Sequence, residues 1–255
     1  MLYLRRYVLG DGICASTHIT SFRVDQCILE AMIDCATMNN VTLGTVCAAC
    51  YAAFLFELTD DWDVAFETTV TNRLQEPETS AIVGNYVYVP LMRVYMENTP
   101  ETTFVTLLQN VQLLTNSSLI HARAQWDPIR NNTLEQSEDG TSVNYPITSF
   151  QFEEYQKNFV LDTSVENGPV LEYVHSERDG LLAGLWAHAG SWSSFFTEAF
   201  YMLPDRTLTF GMIFSTVSYN RSTAVSIEYV FLQEEKILIL NVYFYRNVYA
   251  INFKT

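Results

Sequence analysis

The chain has 255 residues, 49% hydrophobic, and only 17% are charged, which excludes disorder as its main state. Lys+Arg 14 against Asp+Glu 29 gives a net charge of −15. A surface this acidic repels phosphate, so nucleic acid and anionic membranes are excluded as expected partners. Tyr 15 and Phe 16 suit sheet-rich packing.

The longest apolar stretch, Val46 to Phe56, is too short for a bilayer, which takes about 20 residues. At the N-terminus Arg5 and Arg6 follow the apolar residues, the reverse of a secretory signal. Five cysteines, Cys14, Cys27, Cys35, Cys47 and Cys50, make an odd set and point to reduced thiols and a cytoplasmic location. In that setting the Asn-x-Ser/Thr matches at Asn40, Asn116, Asn131 and Asn220 read as coincidence.

Residues 13 to 24 read as a connection or a strand. From Asp25 to Met38, Ile28, Leu29, Met32, Ile33 and Ala36 fall at helical spacing, and Asn39-Asn40 ends the helix. Thr42 is placed to cap a second helix, Leu43 to Leu58, which is apolar nearly all round and therefore buried. Thr59-Asp60-Asp61 turns into a strand, Trp62 to Val70. A polar loop, Asn72 to Ala81, precedes a Val- and Tyr-rich strand, Tyr86 to Tyr95. Pro100 to Leu119 reads as a helix with Thr99 as its cap. Residues 131 to 143 form an exposed loop, and Tyr145 to Phe152 a strand. Val170 to Val174 and Leu181 to Ala187 flank an Asp179-Gly180 turn, a hairpin pattern. Ser191 to Leu203 has amphipathic helical spacing. From Leu208 to Phe253 the chain reads as strands with no assigned partner.

This order predicts an α/β or α+β fold, a mixed sheet with helices packed on it and a strand-rich C-terminal tail. The division is a connecting segment, 1–21, a main unit, 22–203, and a tail, 204–255, of unknown role.

Four stretches carry a family likeness. They are Asn40 to Leu55; Asp63 to Thr71 with Asn72-Arg73; Glu78 to Arg93, containing Ile82-Val83-Gly84-Asn85-Tyr86-Val87; and His121 to Ile129 with Asp127-Pro128. Their order and spacing resemble the C-terminal lobe of the condensation domains of nonribosomal peptide synthetases. The likeness covers about residues 22 to 203. It implies the fold of the chloramphenicol-acetyltransferase-like, CoA-dependent acyltransferases. It also implies amide formation between acyl groups held as thioesters on phosphopantetheine arms. Those arms belong to carrier proteins, the implied partners, and no cofactor is expected on this chain itself. In the family a His of an HHxxxDG motif, on the N-terminal lobe, assists or orients the attacking amine. That lobe is expected to be absent here, which leaves the chain inactive alone. The alternatives are a non-catalytic binding module using the face that the absent lobe would cover, and a CoA-dependent acyltransferase of the same fold.

His175-Ser176-Glu177-Arg178-Asp179-Gly180 fits H-x-x-x-D-G, with Val174 in place of a first His. Its catalytic reading, His175 with Asp179 holding the loop, yields to a hairpin tip whose Asp-Gly makes the turn. Asn72, Arg73, Gly84, Tyr88 and His121 are candidates for the tunnel or the lobe junction. A guanidinium such as that of Arg73 locks a loop by binding two acceptors at a fixed angle. Tyr88 and Val89 depart from the Asn and Thr usual in the family. Cys47-Ala48-Ala49-Cys50 lacks the further ligands of a metal site and reads as buried packing, and no metal is expected.

Overall fold

The computed structural model describes residues 17–71, 86–97, 99, 102–121, 148–154, 158–160, 170–172, 196–202 and 206–215. Its centre is the helix α2, Leu43–Thr59. Small residues at Ala48, Ala49, Ala52 and Ala53 alternate with Tyr51, Phe54, Leu55 and Phe56, and all eight are buried. Each large side chain so placed contributes roughly 1.5–3 kcal/mol relative to exposure. Thr42 starts the helix as expected, its Oγ1 accepting the N–H of Thr45 at 3.1 Å. Asp60, left-handed at φ 51°, follows its last turn.

The helix α1, Gln26–Asn39, packs beside α2 through Ile28, Leu29, Met32 and Cys35. It closes with Asn40 in the left-handed region at φ 53°. The N–H of Val41 donates to the Ala36 carbonyl at 3.0 Å and that of Asn40 to Thr37 at 3.3 Å, a Schellman closure. The third helix, α3, is Phe104–His121. It begins later than the Pro100 and Thr99 pattern predicts. Thr103 caps it instead: its Oγ1 accepts the Thr106 N–H at 3.2 Å, and the Thr106 hydroxyl donates back to the Thr103 carbonyl at 2.7 Å. Thr102, one residue earlier, is buried and donates to the Glu97 carbonyl. That bond holds the approach to the helix outside the helical path.

Among the described residues ten strands accompany these helices: β1 Thr17–Arg23, β2 Asp63–Thr68, β3 Val70–Thr71, β4 Val87–Tyr88, β5 Leu91–Tyr95, β6 Thr148–Glu154, β7 Asn158–Val160, β8 Val170–Glu172, β9 Phe196–Met202 and β10 Leu208–Ser215. Six of them form one sheet in the order β1-β10-β9-β6-β2-β5. β2, β6 and β9 run parallel; β5, β10 and β1 are joined to their neighbours antiparallel. The mixed sheet with packed helices expected from the element order is therefore observed. Val64, Phe66 and Thr68 of β2, Met92 and Val94 of β5, and Thr148 and Phe150 of β6 alternate into the core with period two. The Tyr51 ring meets Phe66 nearly edge-on, centroids 5.1 Å apart, and stacks on Phe150 at 5.6 Å.

Three expectations change. The helix expected over Ser191 to Leu203 is a strand where the structure describes it, Phe196–Met202. Phe196, Phe200 and Tyr201 suit both periods, and pairing with β6 on one side and β10 on the other decides the matter. The single strand expected over Tyr86 to Tyr95 is two, β4 and β5, separated by Val89-Pro90. The strand that begins the tail has partners on both sides: Phe210 of β10 faces Phe22 of β1 and Phe200 of β9. The boundary drawn at 203/204 thus falls between two paired strands, and the one at 21/22 falls inside β1. Of the hairpin expected over 170–187, only Val170–Glu172 is described, and it pairs with Asn158–Val160.

Among the described residues no single helix is long and apolar enough to cross a membrane. α1 and α2 together reach that length and composition, but they bend by 106° and α2 is wrapped in protein.

Candidate functional site

Two of the four family stretches meet in one hairpin. β2 pairs β5 with Asp63 opposite Tyr95 and Glu67 opposite Leu91. β3 pairs β4 with Val70 opposite Tyr88 and Thr71 opposite Val87. Each step along one side is matched by one step back along the other, so the two ribbons are one antiparallel arm in a single register. Between them the Thr68 N–H donates to the Pro90 carbonyl at 3.0 Å, in the same register. Pro90 has no N–H to return, so the ladder is interrupted there without a slip.

One edge of the arm is clamped by charge. The Arg93 guanidinium donates from Nε to Asp63 Oδ1 at 2.7 Å and from its second nitrogen to Asp63 Oδ2. The two residues sit diagonally, since Arg93 faces Ala65 and Asp63 faces Tyr95. The hydrogen bonds from Arg93 lower the Asp63 pKa below its usual value, slight burial works against this, and the guanidinium charge adds to it. The same bonds raise the Arg93 pKa.

α2 is tied to its neighbours at two polar points. Thr42 and Thr45 share a hydroxyl contact at 2.9 Å, and Thr45 Oγ1 donates to Gln112 Oε1 of α3 at 2.9 Å. The Tyr51 hydroxyl bonds to the Thr148 hydroxyl at the start of β6, both residues being buried. Gly44 lies against the Phe152 ring of β6; a Cβ there would stand 3.0 Å from its Cδ1. The Asn110 amide of α3 donates to the Tyr95 carbonyl at 3.0 Å. Helix, arm and central strand are thus mutually fixed.

Tyr88 lies on the arm, half-buried, opposite Val70. His121 ends α3 and is exposed. Asn72, Arg73, Gly84, His175 and Asp179 lie outside the described residues. Thr71 and Val87, the last facing pair of the arm, bound in sequence the stretch that contains Asn72, Arg73 and Gly84. Cys47 and Cys50 are buried in α2, as the packing reading of the C-x-x-C has it. Among the described residues no group of three His, Cys, Asp or Glu side chains is placed to hold a metal ion. The Asp63–Arg93 pair escaped the sequence reading although both residues stood in quoted stretches; opposite charges on outward-facing strand positions were the signal.

A family model, Condensation domain, matches residues 14–179, more than half of the chain. No curated protein sequence matches. Among solved structures, the SgcC5 protein from Streptomyces globisporus is similar with TM-score 0.65 at 12% identity, covering 90% of this chain and 49% of that one. The first condensation domain of the calcium-dependent antibiotic synthetase is similar with TM-score 0.62 at 15% identity, covering 92% and 47%. The four-domain nonribosomal peptide synthetase AB3403 is similar with TM-score 0.67 at 14% identity, covering 89% and 17%. The chain spans about half the length of the first two. At these identities the likeness establishes the fold, an α/β fold shared with solved condensation domains. With the family match added, the chain belongs to the condensation-domain family.

Proposed function

We propose that this chain is the C-terminal lobe of a condensation domain and forms one wall of a cleft. The opposite wall carries the HHxxxDG histidine. Joined, the two walls make an amide bond between acyl or aminoacyl groups presented as thioesters by carrier proteins. The observation that carries this reading is the span: about nine-tenths of the chain superposes on about half of each single-domain relative. The sequence supports it, since its four histidines, His18, His121, His175 and His188, include no adjacent pair and hence no HHxxxDG. The order of the four family stretches supports the C-terminal assignment.

On this reading the lobe is a scaffold. Asn72, Arg73, Gly84, Tyr88 and His121 serve the tunnel or the lobe junction. His175 and Asp179 take no part in proton transfer. The phosphopantetheine arm enters attached to a carrier protein, as part of the substrate. Arg93, the basic residue on the described part of the arm, is committed to Asp63 and is not offered to its phosphate. The odd set of five cysteines supports a reducing, cytoplasmic setting.

The chain alone has no transferase activity, because the base and both thioesters must be held together for the reaction to proceed. The test incubates the purified chain with aminoacyl-loaded donor and acceptor carrier proteins, alone and with a condensation-domain N-terminal lobe added. Amide product only in the second mixture supports the proposal. Product from the chain alone overturns it. Thermal stabilisation by acyl-CoA and not by loaded carriers moves the assignment to a CoA-dependent acyltransferase.

A further inference from the structure

We draw no further inference here: the strongest candidate, the uncharged outer face of the helix Phe104–His121, on which Leu113 and Ile120 stand exposed seven residues apart, carries nothing because nothing in the structure shows what covers it.

Discussion

Arg93 reaches diagonally across two strands to hold Asp63 with two hydrogen bonds. The pair joins the beginning of one family stretch to the end of another, 30 residues apart. It fixes which residue of β2 lies beside which residue of β5. A planar fork on a carboxylate does this better than a single ammonium contact.

Both side chains are substantially solvent-exposed, so the pair contributes little to stability and much of that is screened by salt. Asp63→Asn lowers the melting temperature slightly in dilute buffer, and the difference from wild type shrinks in molar salt. The Asp63 pKa is depressed, so its contribution is fully present above the ordinary aspartate value of 3.8. It fades as pH falls below that value toward the folded one. Melting curves of both proteins from neutral to strongly acid pH must converge at the acid end. Arg93→Lys keeps the charge and loses the fork, and amide exchange at Val64 to Thr68 reports the loosened register.

Glu57 has the opposite sign. Burial first, and Asp60 second, push its pKa above the ordinary glutamate value of 4.5. The folded state therefore holds the proton more tightly than the unfolded chain does. Stability falls as pH rises from 4.5 through the folded pKa, and the penalty is fully present above it. Its place at the C-terminal end of α2, where the helix dipole is negative, adds to the cost. Glu57→Gln raises the melting temperature at neutral pH, and the gain vanishes toward pH 4.

Tyr51→Phe removes one partner of a buried hydroxyl pair and leaves Thr148 Oγ1 without it. The expected loss is about 1–3 kcal/mol in urea unfolding, the cost of an unsatisfied buried polar group. Combining it with Thr148→Val removes the stranded hydroxyl and recovers part of that loss. If the double variant is less stable than the sum of the two single ones, the pair is not coupled in this way.

Gly44→Ala tests the contact between α2 and β6. Alanine is worth roughly 1 kcal/mol over glycine in a helix interior and less at Gly44, the second residue of α2. Here the new methyl meets the Phe152 ring at 3.0 Å, and the ring must yield. The single variant gains less than the helix preference, or loses stability. In a Phe152→Leu background the same substitution gains more, as read by denaturant midpoints.

The helices were legible because their signals are local. Thr42 before an apolar run marks the start of α2, and Asn40 after a periodic one marks the end of α1. β9 was misread because Phe196, Phe200 and Tyr201 satisfy either period, and only neighbours distant in sequence choose between them. β10 could be recognised as a strand, but its partner β1 lies about 190 residues earlier, a separation at which no local pattern speaks. The family stretches located the arm. Its clamp was missed because a lone Asp and a lone Arg on separate strands look like two solvated charges until the register places them diagonally.

The single register kept from Asp63–Tyr95 out to Thr71–Val87, across the interruption at Pro90, separates two kinds of length change. One residue added within either side turns Phe66 or Met92 from the interior to the outside. Residues added or removed between Thr71 and Val87 shift neither side of the arm against the other, so a length change there spares the described pairs.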